Sequence, residues 1–334
     1  MARTPEQIAQ QWEALAKKER DMDKVIVPSK VQFNEQDRIK TGTFEFIDEY
    51  RGRKVSQFTG ARGGRHYEVE GYQFDFASVT SVTGIVNKFG LPDWYKRKGI
   101  EKAANIMDKP GTRERLELSA TLKNEKARKH KNHTWQTELY EEAKSGPQEA
   151  MDIATGFGND SHDIIEFLTM NQMGKNPELL LINNALWSNY EEYMPIAEGF
   201  KAWLRDSGIE IVASELMVYH PAYKYAGTID LIGIHPDDLT RLLVIDVKTG
   251  GVFDEAAMQI SAYAEALEYL VSSGLISWSV GEPMVLQLPR ERPDKWDADK
   301  LYEVHKLNNI AGYHDAFINA LHLKERLSEE TWIK

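Results

Sequence analysis

The stretch from Gly227 to Gly251, GTIDLIGIHPDDLTRLLVIDVKTGG, restricts the possible folds more than any other part of the chain. Two apolar runs flank HPDDLT (235–240), whose Pro236, Asp237 and Asp238 are ordinary turn residues, so the segment reads as a β-hairpin with two buried strands. By the two-residue period of a strand, Thr228, Asp230, Ile232 and Ile234 share one face of the first strand. Leu242, Val244, Asp246 and Lys248 share one face of the second. Antiparallel pairing then brings Asp230 near Asp246, with Lys248 two residues further along. A carboxylate buried alone is strongly disfavoured and must find a partner, a proton or a metal. A buried Asp–Lys salt bridge would account for Lys248 and one aspartate but would leave the other unpaired. A hard cation between the carboxylates accounts for all three groups. Oxygen-only ligation suits Mg2+ or Mn2+, and a lysine beside such an ion can orient or help deprotonate a water. Two carboxylates and a lysine around a hard cation make a phosphodiester-cutting arrangement.

The rest of the chain gives this hairpin a setting. At 334 residues there is room for about two domains. Residues 5–20 read as an amphipathic helix, residues 21–75 as irregular and β-like, and residues 93–150 as strongly helical. Gly146-Pro147 marks a boundary between a helical, basic region at 1–150 and a core at 151–334. In that core, GFGNDSHDIIEFLTMN reads as loop then helix, with Asn159 or Asp160 as cap. Residues 184–206 are helical and carry Trp187, Phe200 and Trp203, and EIVASELMVYH is a strand. DEAAMQISAYAEALEYLVSSG is a helix capped by Asp254, PMVLQLPR is a strand, and residues 308–328 form a closing helix. The order of these elements predicts an α/β core with a central mixed sheet flanked by helices.

Composition excludes several classes. Without cysteine there can be no disulfide, no thiolate zinc site and no iron–sulfur cluster. No apolar run approaches the roughly 18 residues of a membrane span. The N-terminal residues lack the apolar core of a secretory signal, so the expectation is a cytoplasmic protein with no membrane partner. The net charge of −11 argues against nucleic acid, but its distribution does not. Lys96 to Lys131 holds twelve Lys or Arg against five Asp or Glu, and Arg51 to Arg65 holds five basic residues and no acid. A local basic footprint, including Lys126, Arg128 and Lys129, is what phosphate binding requires. Taken alone, KARKHKNH reads first as a solvated helix face, and His130 and His133 lack a third zinc ligand. No Walker phosphate loop is present, and Gly156-x-Gly158 is not a dinucleotide fingerprint.

The combination GTID, IDVKTG and QISAYAEAL resembles the PD-(D/E)xK nuclease superfamily, specifically its RecB-type branch, which includes phage exonucleases and the mitochondrial genome maintenance exonuclease. The resemblance implies a restriction-endonuclease-like core in which Asp230 and Asp246 bind metal together with the carbonyl of Val247. Lys248 acts on water, and Gln259 and Tyr263 contact the nucleic acid strand. It further implies a histidine ligand at His162, where Gly158-Asn159-Asp160-Ser161-His162 keeps the Gly and His of the family's G-T-x-x-H pattern but not the Thr. Glu215 fits an additional acid, and Glu166 a neighbouring or surface one. Ser78 and Thr80, in SVTSV, cap a helix or touch phosphate. The implied activity is Mg2+- or Mn2+-dependent DNA exonuclease on single strands or free ends, in recombination, repair or replication, as in phage members acting in a bacterial host. The alternatives are a structure-specific endonuclease or RNase of the same fold, or a non-cutting DNA-binding module.

Overall fold

Runs rich in Ile, Val and Leu form three long central strands: β4 (Glu210–His220), β5 (Tyr225–His235) and β6 (Asp238–Lys248). The computed structural model describes residues 55–59, 65–86, 91–126, 134–172, 190–272, 279–291, 296–297 and 299–329. The expected helix at 5–20, Trp187, Arg128, Lys129, His130 and His133 lie outside these residues, as does the side chain of Lys126. The other described strands are β1 (Val55–Thr59), β2 (Arg65–Val69), β3 (Phe76–Ser78), β7 (Ser279–Val280), β8 (Met284–Gln287) and β9 (Glu303–Lys306). All nine join one mixed sheet with the path β1-β2-β3-β5-β6-β8-β9, to which β4 adds beside β5 and β7 beside β6. The protein is therefore α/β with a mixed sheet flanked by helices.

The site is set by a fork in this sheet. One side of β5 is taken by β4, from Tyr225 to Ile234. Its other side is shared: β3 pairs in parallel with Tyr225 and Ala226, while β6 pairs antiparallel with Leu231 to His235. On that side, Gly227 to Asp230 have no ladder partner among the described residues, because β3 ends at Ser78, where the helix α1 (Val79–Thr83) begins. Past Ile245, β6 continues instead along β8, pairing Ile245 to Lys248 with Met284 to Gln287. Helix α7 (Asp254–Leu270) lies over one sheet face, its Ile260, Tyr263, Ala264 and Leu267 sharing a core with Ile229, Ile232, Val244 and Val285. Helix α8 (Ile310–Glu329) contributes Phe317 and Leu321 to the same core, and helix α6 (Tyr190–Ser207) buries Phe200 and Trp203.

Three elements differ from the sequence reading. The hairpin turn is tighter than HPDDLT: only Pro236 and Asp237 lie between the strands, because Asp238 opens β6 and accepts bonds from the Thr240 N–H (3.3 Å) and hydroxyl (2.8 Å). Residues 156–160 are helix rather than loop, inside α5 (Gly146–Gln172). A glycine in a helix costs about 1 kcal/mol. Here the buried stripe Phe157, Ser161, Ile164, Ile165 and Leu168 runs through at helical spacing, and tertiary packing outweighs local preference. The N-cap of α7 is Phe253, so Asp254 and Glu255 sit in its first turn, where carboxylates favour the positive end of the helix dipole.

The chain groups into two units, residues 1–86 with 160–334, and residues 87–159. The second contains α2 (Leu91–Met107), α3 (Thr112–Lys126), α4 (Trp135–Ala143) and the first half of α5. Much of the basic run is matched there at close range. Lys96, Lys98, Lys102, Arg113 and Lys123 meet Asp93, Glu101, Glu149, Glu117 and Glu138, and Arg115 grips Glu142 through two bonds of 2.6 and 2.8 Å. Among the described residues, no helix is long and apolar enough to cross a membrane.

Candidate metal centre

The registers align three acids. Ser214↔Leu231 and Leu216↔Ile229 are paired across β4 and β5, so Glu215 stands level with Asp230. Leu231↔Ile245 is the last pair between β5 and β6 before the fork, so the next step sets Asp230 level with Asp246. Glu215, Asp230 and Asp246 thus form a row across three neighbouring strands. Helix α5 brings His162 to the same place, its Nδ1 being 3.7 Å from Asp230 Oδ1 and 4.0 Å from Glu215 Oε1. One ligand atom from each of His162, Glu215 and Asp230 lies within 4.8 Å of the others, a spacing that could hold a metal ion. Asp246 stands outside this trio and pairs with Lys248, Oδ2 to Nζ at 2.7 Å. The fork also explains how Asp230 is held. Where the ladder stops, its Oδ2 accepts the Val247 N–H at 2.6 Å, replacing the missing backbone bond. The Val247 side chain is fully buried.

The backbone at Glu215 is unusual. Its φ of 52° is left-handed, a conformation that costs a non-glycine residue about 1–2 kcal/mol, and it falls in the middle of a strand. Glu215→Gly should accordingly be more stable than Glu215→Ala by about 1 kcal/mol, since both remove the carboxylate and only glycine relieves the strain. Equal melting temperatures for the two variants would show that the residue is not strained.

Electrostatics reflect the crowding of these acids. Burial, reinforced by Asp230, Glu166 and Asp163 and opposed by Arg65, pushes the Glu215 carboxyl up to about 8. Asp246 is fully buried; burial, opposed by Lys248 and reinforced by Asp230, pushes its carboxyl up to about 6. Among the described residues, neither Asp246 oxygen receives a hydrogen bond apart from the Lys248 ion pair. Burying a carboxylate with a single partner is costly, and oxygen donors of this kind, with one imidazole, could hold a divalent ion. Burial works against the Lys248 ammonium, but Asp246 and Asp230 outweigh it and hold the group above the ordinary lysine range.

Gln259 and Tyr263 lie one turn apart on α7, and both are buried. Tyr263 Oη meets Gln259 Nε2 at 3.1 Å, and Gln259 Oε1 accepts from Lys248 Nζ at 3.4 Å. The Tyr263 ring lies against β5 because Gly227 has no side chain: a Cβ there would come within 2.4 Å of Cε1. Ser78 is buried and precedes α1, but its hydroxyl bonds the Thr80 hydroxyl at 2.9 Å and makes no cap bond to the helix backbone. Thr80 is exposed. Glu166 is partly buried, and burial followed by Asp163 raises its carboxyl. Sequence reading passed over Asp163 and over Tyr67, whose Oη lies 3.2 Å from Thr228 Oγ1. Only the proximity of Asp163 to His162 pointed to the first, and nothing local to the second. No family model matches this chain, and no curated protein matches it.

Proposed function

We propose that this chain is a metal-dependent nuclease with a restriction-endonuclease-like core, which hydrolyses DNA phosphodiester bonds and works from free ends of single strands. The observation that carries the reading is the row Glu215, Asp230 and Asp246 across the sheet fork, flanked by His162 and Lys248. His162, Glu215, Asp230 and Asp246 would hold Mg2+ or Mn2+. When bound, such an ion supplies positive charge to the phosphoryl group and acidifies water. The protein does the rest. The Val247 N–H fixes one Asp230 oxygen and leaves the other toward His162. Lys248 keeps its proton, so its part is to hold a water by donating hydrogen bonds and to offset charge developing on the phosphoryl oxygens. Gln259, held by Tyr263, steadies that ammonium.

End-labelled linear and covalently closed circular single-stranded DNA, digested with Mg2+ or Mn2+, tests the reading. The linear strand should shorten progressively while the circle persists. Rapid cutting of circles would make the enzyme an endonuclease. A matched RNA strand cut as fast as DNA would change the substrate class, and no cutting of any substrate would leave a binding module.

A further inference from the structure

Arg65 opens β2, and its backbone is clasped by Ser81, whose Oγ accepts the Arg65 N–H at 3.2 Å and donates to its carbonyl at 3.4 Å. Strand β2 is antiparallel to β3, and β3 is parallel to β5, so β2 runs against β5. Two residues on, Tyr67 crosses the fork to Thr228. Stepping back from Tyr67 to Arg65 keeps the same sheet face and moves toward the Asp230 end of β5. Arg65 is exposed and makes no ion pair among the described residues. Among the described charges that act on Glu215, Asp230, Glu166 and Asp163 are anionic and Arg65 is the cation.

Charge balance shows why a cation is needed there. Glu166, Glu215, Asp230 and Asp246 outnumber the Lys248 ammonium, which Asp246 already occupies. A divalent ion would still leave an anionic surplus, and a polyanionic strand would be repelled without a further positive group. Resting on the nuclease reading above, we propose that Arg65 is the phosphate anchor of the metal centre, binding non-bridging oxygens of the DNA strand with its planar guanidinium. Arginine suits the task because its donor fork matches phosphate oxygens in pairs.

The test is binding of a short fluorescent single-stranded DNA to the full chain in Ca2+, over a range of salt concentrations. Arg65→Gln should bind about tenfold more weakly, with a logarithmic salt slope smaller by about one. Arg65→Lys should recover part of the affinity. The rise in melting temperature caused by Mn2+ should persist in Arg65→Gln, because Arg65 is not a ligand. Unchanged affinity and slope in Arg65→Gln, with that Mn2+ response intact, would overturn the anchor and spare the nuclease reading. A wild-type chain that binds no DNA would overturn both.

Discussion

Asp246→Asn is expected to abolish the thermal stabilisation that Mg2+ or Mn2+ gives the wild-type chain, while the metal-free melting temperature stays level or rises. An ion at a hundredfold excess over its Kd stabilises a folded site by about 2.7 kcal/mol. For a unit of this size that corresponds to roughly 5–10 °C. In the metal-free protein the Asp246 carboxylate is fully buried and level with Asp230, so replacing it by an uncharged amide of the same shape removes a desolvated charge and a repulsion. Loss of the Lys248 ion pair works the other way, which is why little net change is expected without metal. Dependence on pH gives a second readout. The Asp246 and Glu215 carboxyls are raised to about 6 and about 8, above their values in an unfolded chain. Their protonated forms therefore favour folding at low pH, and that stability is lost as pH rises through those values. The cation needs the ionised forms. The gap between melting temperatures with and without Mn2+ should widen from pH 6 to pH 8. A full metal response in Asp246→Asn would exclude Asp246 as a ligand and leave the ion to His162, Glu215 and Asp230.

The charged groups of the candidate site are legible because buried charge is rare: Asp230, Asp246 and Lys248 stand out in apolar strands whatever the fold around them. Their setting was not. The fork depends on β3 ending at Ser78, and nothing near GTID says that a strand about 150 residues earlier takes the first two positions on one side of β5. Glu215 reads as an acid on a strand, but nothing in its own side chain announces the left-handed backbone it takes there. The glycines in GFGND misled for the opposite reason. Their local cost is real, and the apolar stripe through Phe157 and Ser161 overrides it. Gln259 and Tyr263 were legible as a helical pair, but their spacing could not tell strand contact from attachment to Lys248, since either needs two side chains on one helix face.

That last distinction can be measured. Lys248→Ala is expected to lower turnover by roughly two to three orders of magnitude, the usual cost of removing a donor aimed at developing charge. DNA affinity in Ca2+ should change little, because the ammonium is occupied by Asp246 and Gln259. The metal response should survive, since removing Lys248 frees both Asp246 oxygens. Gln259→Ala then separates the two roles open to the helical pair. If Gln259 steadies Lys248, kcat falls by about tenfold and KM holds, and adding Gln259→Ala to Lys248→Ala costs almost nothing more, because both act through one ammonium. If Gln259 grips the strand, KM rises and the two losses multiply. The bond of 3.4 Å to Lys248 and the burial of Gln259 favour the first outcome. Full activity in Lys248→Ala would remove the lysine from the chemistry and, with it, the reason for a lysine on the fork beside a buried aspartate.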